Sequence, residues 1–440
     1  MSKKLSANNK KKPPVPGFEF IKEAGGIEEY RLINNGLRVL YFHRPETGVI
    51  TTNITYLVGA RDEARGETGV AHMLEHMLFK PTTYDLKRTD KTAAAMKFER
   101  ETGCALNANT WKDRTTYYFS YPKSYFKQAL KIEAERMTGV VLTDKELKPE
   151  QGNVLSEFDM YNGNPHFALE VQMISTAYHS HPYGHETIGY REDIEDYTAA
   201  KLEAFYRDYY RPDNAVMMVI GDIDRTQTLS EIKQAFSKIK CPQTPIPRFK
   251  IREPKQEGLR RISITRPSTT NIVSIGFKQA GFPSVSWFTA YLMLDILTGG
   301  PESILHKLLI DAGKASSIST SLEPTSEENL ANISVTLAPG ENHETIEGII
   351  LEAINNLKSS ILSSLLKKSK AQLITEELFA REHSLKIAQE LTEYTAAGTW
   401  ETYTKTTSIL DKITTKDVLN HAAKSFSNNN LTIGYFIGQS

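Results

Sequence analysis

The chain repeats itself, and that repeat limits its fold more than any other feature. Thr52-Asn53-Ile54 opens an apolar, β-branched strand followed by a loop and a helix, and Thr270-Asn271-Ile272 opens another. Val216-Met217-Met218-Val219-Ile220-Gly221 closes the first half, and Ile433-Gly434-Tyr435-Phe436-Ile437-Gly438 closes the second. Each closing strand follows a helix and a polar turn. Two echoes in the same order imply two copies of one α/β unit of roughly 200 residues. Between the copies, Cys241 to Gly258 holds four prolines and many charges and reads as a linker. The expected organisation is a Lys-, Asn- and Pro-rich disordered tail over 1–17, a first domain over 18–240, a linker over 241–258 and a second domain over 259–440.

Local signals fill in the first copy. Tyr30 to Leu32 and Leu37 to Phe42 flank Asn34-Asn35-Gly36, a hairpin pattern. Ile50 to Val58 reads as a strand, Leu86 to Thr102 and Lys123 to Thr138 as helices, and Gly103 to Tyr121 as a second hairpin. Pro149 suits the first turn of a helix that stops at Gly163-Asn164-Pro165. Phe167 to Tyr178 and Leu202 to Tyr210 are further helices. His179, His181 and His185 between them read as an exposed loop rather than a metal site.

The chemistry concentrates in Gly69 to Phe79, where Thr68 is the expected N-cap. His72, Glu75 and His76 stand at i, i+3 and i+4, so one helical face carries all three. Two imidazoles one turn apart can hold one Zn²⁺, and the carboxylate between them can serve the water that such an ion activates. Met73, Leu74, Met77, Leu78 and Phe79 would bury the remainder of the helix. Downstream, Glu150 and Glu157 are seven residues apart and share a helical face, whereas Asp159 points elsewhere. Spacing alone leaves Glu150, Glu157 and, least favourably, Asp159 open as a third ligand.

Composition narrows the alternatives. Lysine plus arginine and aspartate plus glutamate both number 53, so no basic surface calls for nucleic acid. The two cysteines, Cys104 and Cys241, form neither a disulfide framework nor a thiolate zinc site. No apolar run is long enough for a membrane span. The start of the chain lacks the apolar segment of a secretory signal. A cytoplasmic location is expected for the chain as given, or a periplasmic or organellar one if a signal has been removed.

From about Gly36 onward, more weakly after Gly258, the chain resembles the inverzincin metallopeptidases of the pitrilysin, insulin-degrading enzyme and mitochondrial processing peptidase group. The resemblance is carried by Gly69 to Lys80, Asn107-Ala108-x-Thr110, Thr116-x-Tyr118 and Glu150-x6-Glu157. His181-Pro182-Tyr183, Tyr209-Tyr210-x-Pro212-x-Asn214 and Ile220-Gly221-Asp222 extend it. It implies an α+β fold of two homologous α/β-layer domains, each a mostly antiparallel sheet packed with helices, together forming half of a clamshell. It further implies one Zn²⁺ per chain on His72, His76 and Glu157, with Glu75 as general base and Glu150 as a supporting carboxylate. Asn107, Ala108 and Thr110 would lie on an edge strand that binds the peptide substrate.

One departure bears on partners. Family members that act alone or as homodimers carry an Arg and a Tyr, seven residues apart, in the second half. Here the matching stretch, Ser303 to Ser316, places Leu309 or Ile310 and then Ser316 at those positions. The resemblance therefore implies a heterodimer with a related subunit that lacks the zinc motif and supplies the pair. The runner-up is a homodimer using His306 or Lys314. A non-catalytic structural subunit of the same fold is the rival from another class.

Overall fold

The computed structural model describes residues 13–357 and 359–439. The sequence opens with three strands, β1 (Phe18–Ala24), β2 (Ile27–Leu32) and β3 (Arg38–His43), then β4 (Ile50–Tyr56). Helices α1 (Val70–Met77) and α2 (Ala94–Thr102) precede the hairpin β5 (Ala105–Thr110) and β6 (Thr115–Tyr121). Helices α3 (Phe126–Gly139), α4 (Asp144–Asn162), α5 (Pro165–Ala177), α6 (Arg191–Glu195) and α7 (Ala199–Tyr209) lead to β7 (Ala215–Gly221) and α8 (Arg225–Phe236). The second half runs β8 (Arg260–Pro267), β9 (Ile272–Gln279), α9 (Val285–Thr298), β10 (Ala315–Ser321) and β11 (Asn329–Leu337). Helices α10 (His343–Asn355), α11 (Ser359–Ala380), α12 (Ser384–Ala396), α13 (Thr406–Lys412) and α14 (Thr415–Ser425) then precede β12 (Leu431–Gln439).

Two sheets result, ordered β1-β2-β3-β7-β4-β6-β5 and β10-β11-β9-β12-β8. Five strands of the first, β3-β7-β4-β6-β5, match β8-β12-β9-β11-β10 of the second, position for position. Each sheet has one parallel pair, β3 with β7 and β8 with β12, and is otherwise antiparallel. The strands that echo in the sequence, β4 with β9 and β7 with β12, are neighbours at the centre of their sheets. β4, β7 and β9 are buried along their whole length, as strands covered on both faces must be. Edge strand β8 instead alternates half-buried and exposed residues.

The second cover of each sheet is lent by the other half. Helix α5 of the first half packs on β8, β9 and β12, and α12 of the second half packs on β4, β6 and β7. The two loans differ chemically. Ala168, Leu169 and Met173 of α5 meet Ile272 and Phe436, with Gly276 and Gly434 leaving room for Met173. Under α12 the contact is polar: the Thr51 and Ser384 hydroxyls lie 2.7 Å apart, and Asn53 Nδ2 donates to Thr392 Oγ1 at 3.1 Å.

Several local expectations need correction. The helix expected over 86–102 begins only at Ala94, and β1 adds a strand before the first hairpin. Helix α4 starts at Asp144, because the Thr143 side chain accepts from the Glu146 N–H, so Pro149 lies inside it. Of the tail expected over 1–17, residues 1–12 lie outside the described residues. Val15 is already buried, and the Gly17 carbonyl accepts from the Ile33 N–H. Residues 241–258 carry no helix or strand but are tied down at both ends. Arg211 donates to the Pro242 and Thr244 carbonyls, and Gln256 donates to the Leu431 carbonyl.

Candidate metal centre

Helix α1 is short, and its position is fixed from its N-terminus. The residue before it, Gly69, sits at φ 86°, and a side chain there would run into the Ile188 carbonyl and the Tyr197 hydroxyl. Thr68 is not the N-cap. Its hydroxyl donates to Asp193 at 2.6 Å, and the capping is done by Glu63, whose carboxylate accepts from the Gly69 and Ala71 N–H groups at 2.8 and 2.9 Å. An anion at a helix N-terminus satisfies free N–H groups and complements the dipole. Its other contact is His185, 3.0 Å away, which is buried rather than on the exposed loop that the sequence suggested. His181 is buried as well and faces Glu327 at 3.2 Å. His185 anchors the start of α1 and His181 ties the first half to the second; they do not form a second metal cluster among the described residues.

From the opposite side of α1, helix α4 brings its carboxylates. His72, His76 and Glu157 offer donor atoms that all lie within 4.8 Å of one another. Glu157 Oε2 stands 3.9 Å from His72 Nε2 and 3.6 Å from His76 Nε2. Those separations are too long for hydrogen bonds. They suit donors around one small cation, because ligand atoms at about 2.0–2.1 Å from a tetrahedral Zn²⁺ lie about 3.4 Å apart. Burial, with His76 beside it, drives the His72 pKa down to about 3, so its ring stays neutral and able to ligate. Its Nε2 faces Glu157, while its Nδ1 is buried without a hydrogen-bond partner among the described residues.

Glu150 occupies a different place. One oxygen lies 3.3 Å from His76 Nδ1, and the other pairs with Lys80 and accepts from Asn153 at 3.0 Å. Burial works to raise its pKa, but Lys80 and Asn153 outweigh it, and the carboxyl is held below its ordinary range. An ionised Glu150 can accept a hydrogen bond from His76 Nδ1–H, which leaves the Nε2 lone pair facing Glu157. Asp159 points away, exposed and paired with Arg191.

Glu75 does not join the donor cluster. Burial raises its pKa, and the Thr110 hydroxyl, donating to Oε2 at 2.6 Å, works against that rise. Thr110, expected to touch substrate, is thus engaged with Glu75. It ends β5, an outer strand paired only with β6, and β5 packs directly beside α1. Asn107 is exposed on that edge, its Oδ1 accepting from the Ala108 N–H at 2.9 Å, while Ala108 itself is buried. Arg114, at the turn into β6, holds the Asn109 side chain and pairs with Glu393 of α12, bracing the edge against the second half. Glu63, His185 and Arg114 were not legible as site-builders, since their partners lie 122 or more residues away or on the far side of a turn.

The residues at the positions where an Arg and a Tyr were sought also have clear places. Leu309 is fully buried in the second core, and Ser316 is exposed with its hydroxyl on the Thr336 carbonyl. His306 and Lys314 face Asp311 and Glu341 at 3.3 and 3.8 Å.

Known proteins align with this picture. The sequence model of Insulinase (Peptidase family M16) matches residues 38–191, and that of the Peptidase M16 inactive domain matches residues 196–373. The zinc protease PqqE of Helicobacter pylori is 31% identical over 289 residues, a match spanning 65% of this chain and 64% of that one. A Rickettsia felis protein described as an uncharacterized zinc protease is 25% identical over 92% of this chain and 96% of its own. The crystal structure of a protease from Helicobacter pylori superposes with a TM-score of 0.85 at 25% identity, covering 96% of this chain and all of that one. On the motif helix, the doubled sheet and these matches together, the chain belongs to the insulinase (M16) family of zinc peptidases.

Proposed function

We propose that the chain is a zinc-dependent endopeptidase that hydrolyses unfolded peptides in an enclosed chamber, as the metal-bearing member of a heterodimer. The observation that carries this reading is the convergence of His72, His76 and Glu157 within 4.8 Å beside Glu75 and an open strand edge. Bound there, Zn²⁺ would supply Lewis-acid polarisation and lower the pKa of a water molecule. The chain's own groups supply the rest. The unpaired side of β5 offers main-chain hydrogen bonds to an extended peptide whatever its side chains, placing the scissile bond next to α1. Thr110 fixes one oxygen of Glu75, leaving Oε1 to take a proton from the attacking water and return it to the departing amine. Glu150 orients His76 throughout.

What favours a partner is the second half. Leu309 is sealed in the core and Ser316 carries no phenol, so neither can steady a developing oxyanion. The test is zinc content and cleavage of a quenched fluorescent peptide, with the purified chain alone and mixed with a related chain that carries the Arg/Tyr pair. One zinc per chain, weak cleavage alone and strong cleavage in the mixture are expected. Full activity of the chain alone would leave the homodimer reading. A chain that takes up no zinc would be a structural subunit instead.

A further inference from the structure

The second half carries an open cavity of about 320 Å³ that the metal centre does not use. Its walls are aromatic. Trp287 and Tyr291 stack with ring centres 5.5 Å apart, and Phe282 stands edge-on to Trp287 and Tyr394 at 4.8 and 4.5 Å. Around these rings stand four carboxylates, Glu376 and Glu377 from α11 and Glu390 and Glu393 from α12. Two have counter-charges: Glu377 pairs with Arg381, and Glu393 with Arg114. Glu376 accepts only from Gln372 Nε2 at 3.1 Å, and Glu390 has no ion-pair partner among the described residues. No lysine or arginine lines the cavity. Tyr403, which does line it, is 3% exposed; its hydroxyl faces Glu390 and Arg381 and has no hydrogen-bond partner of normal geometry among the described residues.

Each feature excludes a class of occupant. Four carboxylates, two of them without an ion-pair partner among the described residues, and the negative faces of the rings repel an anion. A neutral apolar molecule would dry the site around Glu390 without bringing it a counter-charge, at a cost. A bare metal ion would not cover the rings. The volume is that of a small-molecule site. We infer that this cavity binds an organic cation, an amine or guanidinium on an apolar stem. Its head sits between Glu390 and the Tyr403 oxygen, and its stem lies along Trp287 and Phe282. Burial first, and Glu377 next, hold the Glu390 carboxyl up to about 7, against the opposing pull of Arg381, Lys386 and the Tyr403 hydroxyl. The cation can arrive as a free amine or as a basic side chain on a peptide; the head-group chemistry is the same.

Titration calorimetry on the full chain at pH 8 tests this, with phenethylamine, its neutral analogue 2-phenylethanol, and N-acetyl-arginine amide as probes. Saturable binding of at least one cation, about tenfold or more tighter than the alcohol, is expected. Glu390→Gln should weaken that binding by about tenfold with the melting temperature unchanged, and Tyr403→Phe by about threefold. If Glu390→Gln fails to fold, Glu376→Gln on the exposed rim should still weaken binding severalfold. Saturation by the arginine amide alone identifies a peptide side chain as the source, and saturation by phenethylamine alone a free amine. Affinities should be unchanged in Glu75→Gln, which keeps this site separate from the proteolytic reading. Equal affinity for amine and alcohol, no saturable cation binding, or cation binding indifferent to both carboxylate substitutions would overturn the inference.

Discussion

The two halves share a frame and divide the work. Between β4 and β5 the first half inserts α1; between β9 and β10 the second inserts α9. Helix α1 packs on α4 and α7, and α9 packs on their counterparts α11 and α14. The slot is the same, and its contents differ. In α1 two histidines face α4 and Glu75 meets Thr110 of β5, whereas α9 buries Phe288, Leu292, Met293, Ile296 and Leu297. Doubling the fold fixed where a helix goes but not what it carries. The second slot keeps the stable default of an apolar filling, and the first accepts a neutral, desolvated His72 and a buried Glu75. That exchange of stability for chemistry separates the halves.

The sharpest way to break the comparison is at Glu75. Glu75→Gln keeps the donor set and removes the proton carrier. Turnover should fall by about 10²–10⁴ while zinc content, read by atomic absorption, stays at one per chain. Loss of zinc together with activity would show that Glu75 belongs to the donor set. Next comes the metal itself. Glu157→Ala should weaken zinc by more than about 100-fold in a chelator competition, and Glu150→Gln by about 10–100-fold, because the latter only releases the His76 ring. Asp159→Ala on the same helix and Asp295→Ala in the empty slot of α9 should change nothing. Equal losses at 157 and 159 would place the third donor elsewhere.

How far the sequence reaches follows from the range of each interaction. The doubled sheet could be read because its central strands are continuous and apolar, a signal that survives in two copies. β1 escaped notice because Phe18–Ala24 mixes charges with apolar residues on a largely exposed edge. His72, Glu75 and His76 were legible together because a helix converts spacing into a face. Glu157 needed the family resemblance, since spacing alone did not separate it from Glu150. The Glu63 cap, its His185 partner and the grip of Thr110 on Glu75 join residues 6 to 122 positions apart. No local period encodes those, so Thr68 took the cap and Thr110 the substrate in the sequence reading. Pro149 misled for a related reason. A proline suits a first turn, yet Thr143 had already started the helix, and α4 tolerates one missing backbone bond.

The lent helices give a gentler contrast. Met173 of α5 fills space left by Gly434 and Gly276, so Met173→Ala opens a cavity and should cost about 2–5 kcal/mol in urea unfolding. Thr392 of α12 accepts from Asn53 Nδ2, lies 3.5 Å from the Thr55 hydroxyl and donates to the Ala388 carbonyl at 2.8 Å. Thr392→Val keeps the shape and should cost about 1–2 kcal/mol for the donor left unpaired. If the two losses were equal, the chemical asymmetry of the loans would have no energetic weight.

The smallest effect lies on the seam between the halves and depends on pH. Lys112 from the β5–β6 turn is buried among Glu170, Glu186 and Glu323, and its Nζ lies 3.7 Å from Glu186. Burial first, and the charge of Glu186 next, push Glu170 to about 7; at Glu323 burial outweighs Lys112 and the result is again about 7. In the unfolded chain both titrate near an ordinary glutamate value of about 4.3. Folding therefore takes up protons in this interval. The stability owed to the protonated pair is fully present below about pH 4.3 and is lost as pH rises through about 7. Glu323→Gln fixes the protonated shape at every pH. It should leave unfolding free energy nearly unchanged at pH 5 and raise it by about 1–2 kcal/mol at pH 8 relative to the parent chain. Lys112 keeps the gain modest, because Glu186 and Glu170 still supply its counter-charge. An equal effect at both pH values would mean that Glu323 stays ionised throughout, and that one lysine balances the whole acidic seam.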